Sequence, residues 1–568
     1  MRLVKLEIEN FRGIKKFEGT FHSNIMCLIG SSNSCKTTIL KAINLLFATN
    51  WTPDDMDFFR GGVNNEIKIR GTIIDFPEEF YELESKYGLE MRGWNGRNVH
   101  DEPEEDDHHA LTVELSVDST LQPEWRIVNN RSGNIPFSKR DRHKLNVIFF
   151  EEDVQRHFYL KHDSFLRKLL DDDSEAKNKL TEALREVKKD TSFKDNTAIN
   201  EVLEILEDEA KEINVDFEAD GLSANLDLKF MTTKLGSVGL FDGDVPIRLK
   251  GVATQKLMLT ALQISYSKFQ DILLFDEFEY GLEPHRIRGV LRSLKNNIED
   301  SQVFMTTHSP TTLVELDAKN IYVVKNDADS NVLVNQLNEQ FQGTLRSVPE
   351  AFFGNKVVVC EGATEYGLCK GFESSWIEES DENSFGLNGI SVVSGDSTVR
   401  ATNKAIELNE IGYETILFID SDKLHVLPKS IEELEESGIK VINWDDEVNT
   451  EIRITKDFSV NTLNELLRFT EQEVLGMDFN YQSLFNSINS NIDQDIEIKD
   501  IGKLNDFLEY IDKGELKHYV GKYFGDSNTY KTIGKAEKLG EFIMQHFDEV
   551  ESKDLGSKIG MLKSTLYE

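Results

Sequence analysis

One segment decides the architecture more than any other. Ile25-Met26-Cys27-Leu28-Ile29 is a short unbroken apolar run, and a run of that kind suits a strand buried on both faces. It ends at Gly30, crosses Ser31-Ser32-Asn33-Ser34-Cys35 and reaches Lys36. Beyond it Ile39, Leu40, Ile43, Leu46 and Phe47 recur at three- and four-residue spacing, the period of a helix with one buried face. A doubly buried strand, a tight loop and an amphipathic helix read as the opening of a nucleotide-binding unit in an α/β fold. Leu3 to Phe11 alternates apolar and charged residues and predicts a strand with one buried face.

The loop nearly matches G-x-x-x-x-G-K-[ST], in which backbone N–H groups at a helix N-terminus curl around phosphate. Gly30, Asn33, Ser34, Cys35, Lys36, Thr37 and Thr38 are the nucleotide-binding candidates, with Lys36 reaching the terminal phosphates and the Thr37 hydroxyl serving Mg²⁺. Cys35 stands where the pattern has its second glycine. Glycine serves there because backbone must approach phosphate; cysteine is small enough to keep the loop, with weaker binding. Asp271-Ile272-Leu273-Leu274-Phe275-Asp276-Glu277 is an apolar strand ending in two acids. Asp276 is placed to hold Mg²⁺ through water and Glu277 to polarise the attacking water. Val303 to Thr307 is a third strand, ending at His308, which is placed to sense a γ-phosphate. The three motifs in this order predict ATP binding.

The second half repeats the device of acids at strand ends. Lys356-Val357-Val358-Val359-Cys360 runs into Glu361, and Glu365 follows one helical turn later, so both carboxylates face one crevice. Thr415-Ile416-Leu417-Phe418-Ile419 runs into Asp420-Ser421-Asp422, whose acids point the same way if the chain stays extended. Four converging carboxylates repel one another, and a divalent cation resolves the conflict; all-oxygen ligands favour Mg²⁺ or Mn²⁺. Ile390 to Val393 supplies a further strand between helices, so a second parallel sheet is expected.

The domains read as 1–160, the first lobe of a nucleotide-binding domain; 161–215, a charged helical insert free of Gly and Pro that suits a dimerisation element; 216–345, the second lobe, with a strand near Leu226–Phe230; and 346–568, the acid-bearing domain with a helical tail. Asp101 to Asp107 reads as a solvated acidic loop, with His108 and His109 as loop residues rather than metal ligands. Lys and Arg number 64 against 102 Asp and Glu, a net charge of −38 over 568 residues. That excludes a chain that grips nucleic acid all over. Any such site must be a local basic patch, for instance around Lys517, Lys522, Lys531, Lys535 and Lys538, or must use metal ions. Four cysteines make no disulfide scaffold, and no apolar run is long enough to span a bilayer, so a reducing cytoplasm is the expected compartment.

Asn10-Phe11-Arg12-Gly13 at the end of the first strand resembles the opening of ABC-type ATPases of the RecF and SMC kind. The resemblance implies that Arg12 lies near the nucleotide. It also implies that Lys250-Gly251-Val252-Ala253-Thr254-Gln255 stands where those proteins carry a glycine-containing signature that completes another head's site, hence paired heads. E-G-x-x-E on one strand and D-x-D on a later one resemble the TOPRIM domain of topoisomerases, primases and certain nucleases. An ABC-type head followed by TOPRIM resembles the OLD (overcoming lysogenization defect) family, which includes the nuclease subunit of Gabija-type antiphage systems. That resemblance implies an α/β fold with both domains and a Mg²⁺-dependent, ATP-regulated DNA endonuclease or nickase acting as a homodimer or homotetramer, with a helicase-like partner possible. Carried onto this chain, Glu361, Glu365, Asp420 and Asp422 match the core ligands. Glu447 and Glu451, one helical turn apart, are candidates for the further acids, and Lys531 for the family's C-terminal lysine, with Lys535 as competitor. Two alternatives stay open: an ATPase sensor whose second half cuts RNA such as tRNA, and a repair ATPase whose TOPRIM acids are not catalytic.

Overall fold

A computed structural model describes residues 1–77, 87–131, 134–145, 147–150, 239–266, 272–297, 301–476, 479–492 and 503–567, with isolated positions between them. The helical insert expected over 161–215 lies almost wholly outside the described residues, and the strand expected near Leu226–Phe230 lies wholly outside them.

The first sheet has 14 strands among the described residues. Its parallel half orders Val147–Phe150, Ile272–Phe275, Gln302–Thr306, Ile25–Ile29 and Ile321–Asn326 side by side. Every residue of Ile25–Ile29 and of Ile272–Phe275 is buried, as the unbroken apolar runs require. Asn331–Gln336 returns antiparallel to Ile321–Asn326 and leads into an antiparallel half built from Ile14–Thr20, Arg2–Phe11, Ile67–Ile74 and His108–Val117. His108 and His109 thus open a strand instead of sitting in a loop; both are exposed. The strand starts there because its register with Arg92–Trp94 extends over both histidines. Asp107 just before it turns inward to bond the His100 ring at 2.8 Å.

The second sheet has four parallel strands in the order Ile390–Ser394, Lys356–Cys360, Glu414–Ile419 and Lys440–Asn443. Its two central strands carry Glu361 and Asp420 at their carboxyl ends, where open parallel sheets place their ligand crevices. The helical tail packs beneath it. Gly367 and Gly371 on the helix Ala363–Glu379 let the helix Ile533–Gln545 come so near that a Cβ at Gly371 would lie 2.3 Å from the Glu537 carbonyl oxygen. One apolar core runs through both halves: Val303, Met305, Ile321 and Val323 of the first sheet share a cluster with Phe352, Val357, Val359, Leu417 and Ile419 of the second. No helix among the described residues is long and apolar enough to cross a membrane.

Candidate functional site

Two constellations form, one in each sheet. In the first, Gly30 has φ 142°, and a Cβ there would lie 2.2 Å from the Val324 carbonyl oxygen, so only glycine fits. The buried Lys36 ammonium donates to the Gly30 and Ser31 carbonyls (3.0 and 2.8 Å) and lies 3.3 Å from the Ser34 hydroxyl. These are the oxygens that phosphate would replace. Burial lowers the Lys36 pKa, opposed by Asp276. Cys35 caps the helix Lys36–Phe47 at φ 66°, the left-handed region that explains why the pattern carries glycine there. Thr38 follows in the first turn of that helix.

Thr37 and Asp276 meet: the hydroxyl donates to Asp276 Oδ1 at 3.0 Å, and Thr306 donates to the same oxygen at 2.7 Å. Thr306 Oγ1 also accepts from the Glu277 N–H (2.8 Å), holding a residue bent to φ 47°. The His308 N–H donates to Glu279 Oε1 at 2.6 Å. Partial desolvation, then the Lys36 charge, keeps the His308 imidazole below the usual histidine range, against Glu279, Glu277 and Asp276. Loop lysine, strand acids and histidine are therefore one electrostatic neighbourhood. Arg12 has φ 50°, and its guanidinium pairs with Asp57 at 2.9 Å. The turn it sits on touches the loop, since a Cβ on Gly13 would lie 2.9 Å from Cys35 Sγ. Helix Val252–Tyr266 starts directly after Gly251. Its Lys256 ammonium donates to the Glu277 carbonyl at 3.2 Å and covers the Tyr280 ring, and burial draws its pKa down to about 8.

The second constellation gathers acids. Glu361 Oε2 accepts from the Asp420 N–H at 3.0 Å, and Glu361 Oε1 accepts from the Thr398 hydroxyl at 2.9 Å. Glu365 Oε2 accepts from the Gly362 N–H at 3.0 Å, a capping contact at the start of its helix. Thr450 joins the strands: its N–H donates to Asp420 Oδ1 at 2.8 Å, and its hydroxyl lies against Asp420 Oδ1 and 3.1 Å from Glu365 Oε1. One hydroxyl proton lies between two carboxyl oxygens and bonds one of them at a time. Burial, then Glu361 and Glu451, pushes the Glu365 carboxyl up from 4.5 to about 7. Burial, then the Glu365 charge, raises Asp420 well above the aspartate range.

Glu451 sits beside them in the first turn of the helix Thr450–Asp457. Burial raises its pKa, while Lys531 and Lys423 pull it down. Lys531 acts on Glu451 through its charge from the loop before the helix Ile533–Gln545; among the described residues neither Lys531 nor Lys535 makes a hydrogen bond or ion pair with these acids. Glu447 departs from expectation. The helix begins only at Thr450, capped by Asn449, so Glu447 lies outside it in an exposed turn and is not one helical turn from Glu451. Asp422 leaves the extended path because Ser421 is drawn down to the Asp446 and Val448 carbonyls (3.0 Å each).

Among the described residues no three His, Cys, Asp or Glu side chains are spaced to close on an ion as they stand. The reason is visible: Glu361 and Asp420 spend oxygens on N–H and hydroxyl donors. The donor set nevertheless fits a divalent cation. Asp422 Oδ1 and Glu451 Oε1 are buried with no hydrogen-bond partner, and a cluster of crowded carboxylate oxygens is the ligand chemistry of Mg²⁺ or Mn²⁺. Sequence reasoning missed Thr306, Glu279, Thr398, Lys423 and Thr450. Only Thr450 left a signal, as the residue between the helix cap Asn449 and Glu451.

The first constellation defines a P-loop ATPase domain. Residues 25–315 match the family described as "AAA domain, putative AbiEii toxin, Type IV TA system", just over half of the chain, and the protein belongs to that family. The match ends before the acid-bearing sheet begins at 356. No curated protein matches the chain. Loosely similar solved structures include an SmcHead bound to the C-winged helix domain of ScpA (15% identity, TM-score 0.36, 60% of this chain and 100% of that one). Two others are the Pyrococcus furiosus Smc head domain with an extended coiled coil bound to the C-terminal domain of ScpA (17%, 0.37, 61% and 99%) and the SMC head domain from Thermotoga maritima (14%, 0.30, 60% and 100%).

Proposed function

We propose that this ATPase chain is an ATP-regulated, divalent-metal-dependent DNA endonuclease or nickase of a cytoplasmic prokaryotic defence system, with an ABC-type head and a TOPRIM-like second half of the OLD kind. The observation that carries the reading is the meeting of Glu361, Glu365 and Asp420 at the carboxyl edge of a parallel sheet, beside the unpartnered oxygens of Asp422 and Glu451. Burial first, and neighbouring acids second, raise the Glu365 and Asp420 carboxyls, and perturbed pKa values of that kind cluster at functional sites. The family's description as a putative AbiEii toxin is in keeping with a defensive role.

In this reading Glu361, Glu365, Asp420, Asp422 and Glu451 hold the metal. Bound there, the metal supplies an activated water and offsets charge on the scissile phosphate. Thr450 fixes the Asp420 and Glu365 carboxyls from one side, and Thr398 fixes Glu361 from the other. Lys423, 3.9 Å from Glu361 and 3.8 Å from Asp422, and Lys531 supply cations for the phosphate oxygens. In the head, Lys36, Thr37, Asp276, Glu277 and His308 bind and turn over ATP. Exposed Leu249, Val252 and Tyr280 around Gly251 suit a second head, so the active species is a homodimer or homotetramer.

Supercoiled plasmid and labelled tRNA are incubated side by side with Mg²⁺ or Mn²⁺. Plasmid nicking or linearisation that Asp420→Ala abolishes supports the reading. Cleavage of tRNA alone, or plasmid cleavage that persists in Asp420→Ala, refutes it.

A further inference from the structure

The two acid-bearing strands start at one place. Phe352 and Phe353 close the helical turn Pro349–Phe353, just before the strand Lys356–Cys360 that leads to Glu361. Tyr413 directly precedes the strand Glu414–Ile419 that leads to Asp420. The two starts are tied together: the Tyr413 hydroxyl donates to the Phe352 carbonyl at 2.7 Å, and the rings meet edge to face at 6.2 Å. Both side chains are buried.

The nucleotide site reaches the same place by two arms. In one, the His308 ring lies against Phe353, with centroids 6.1 Å apart and planes inclined at 35°. In the other, Asn326 Nδ2 donates to the Asn33 carbonyl of the phosphate loop at 2.9 Å, and the preceding residue, Lys325, places its ammonium 3.4 Å from the centre of the Tyr413 ring. Burial draws the Lys325 pKa down to about 8, and among the described residues it has no carboxylate partner. The ring face is what offsets its desolvation. An aromatic contact between domains is ordinary packing. Here, however, the two groups that reach the contact are the γ-phosphate sensor and the phosphate loop.

From these starts the strands run as paired rods. Lys356 to Cys360 pairs in register with Glu414 to Phe418, so neither strand slides alone. At about 3.3 Å per residue, the extended runs are roughly 16 Å from Lys356 to Glu361 and roughly 23 Å from Tyr413 to Asp420. A close-packed interior passes a displacement along such rods instead of absorbing it.

We propose that Phe352, Phe353 and Tyr413 form a joint through which nucleotide in the head shifts the Glu361 and Asp420 strands as a unit against Thr450 and Glu451: engagement of His308 and closure of the 31–34 loop bias Phe353 and Lys325, and these move the two strand starts together. The consequence for cleavage rests on the nuclease reading; the mechanical coupling does not. Phe353 and Tyr413 are positioning residues: Phe353 acts through His308, and Tyr413 through the strand that leads to Asp420.

The test compares full-length wild type, Phe353→Ala and the milder Lys325→Met, which keeps the test alive if the first fails to fold. Each is mixed with a non-hydrolysable ATP analogue and Mg²⁺. Analogue binding is measured by calorimetry, and amide hydrogen exchange is followed over residues 413–423. In wild type the analogue changes exchange there by at least 5-fold, the lower range of common allosteric couplings. In the variants the analogue still binds, plasmid cleavage without nucleotide persists, and the exchange response falls to under 2-fold. A wild-type segment indifferent to analogue overturns the joint, and so do variants that respond like wild type. A full exchange response in a protein that cleaves no plasmid upholds the joint and refutes the nuclease reading.

Discussion

The acid crevice carries an electrostatic load that can be measured without any substrate. Glu365 titrates at about 7 in the folded chain against 4.5 for a free glutamate. At 1.36 kcal/mol per unit, that displacement corresponds to about 3 kcal/mol. The sign follows from proton counting. Between pH 4.5 and about 7 the unfolded chain has released this proton and the folded chain keeps it. Stability therefore falls as pH rises through that window, and the whole cost is present above it. Glu365→Gln keeps the shape and removes the charge; its amide oxygen can accept from the Gly362 N–H while its NH₂ donates to the Thr450 hydroxyl oxygen. We expect this variant to be more stable than wild type at pH 8 by up to about 3 kcal/mol, with the difference gone at pH 4.5. Divalent cation relieves the same repulsion, so Mn²⁺ at pH 8 protects wild type and protects the variant much less. Because a chain of this size does not unfold in one step, the assay is native-state hydrogen exchange over residues 414–443. A variant no more stable than wild type at pH 8, or one equally favoured at both pH values, refutes the assignment of Glu365 as a strained, buried carboxyl.

Other outcomes follow from single contacts. Thr450→Val removes the hydroxyl shared by Asp420 and Glu365; we expect plasmid cleavage to fall about 10- to 100-fold, as for other groups that orient metal ligands, with ATP affinity unchanged by calorimetry. Cys35→Gly relieves a left-handed residue at φ 66°, which costs an L-residue about 1 kcal/mol; the head melts later and binds ATP more tightly, and weaker binding counts against the strain argument. Arg453 is buried among Asp446, Asp457 and Asp554 at 3.0–3.4 Å; Arg453→Met leaves those acids uncompensated and destabilises the second half by about 3–5 kcal/mol, read from its denaturant midpoint. Asp276→Asn stops phosphate release from ATP, and retention of turnover removes Asp276 from the site.

Most of the head was legible because its chemistry is local. Gly30 through Thr38 is one loop and one helix start, and the acids of 276–277 and His308 end strands whose apolar runs announce themselves. The strand ends carrying Glu361 and Asp420 were legible for the same reason. What the sequence hid depends on which strands become neighbours. The strands bearing Glu361 and Asp420 pair directly, and nothing local to either segment states that. Glu447 was misplaced by counting helical turns across a boundary that only the Asn449 cap defines.

The hidden contacts are also those with most bearing on control. Glu279 holds the backbone of His308, Asn326 holds the phosphate loop, and Thr450 holds two acids, each by one to three hydrogen bonds across 29 to 293 residues. None of these residue types is distinctive in sequence; a threonine before a glutamate is common. Each acts by fixing a reactive group whose identity was already readable. The motifs therefore say which chemistry the chain carries, and the unremarked polar residues decide whether its parts stand close enough to perform it. Thr450→Val tests that division directly: if cleavage survives loss of this hydroxyl, the acids are held by their strands alone, and the polar scaffold has no part in the chemistry.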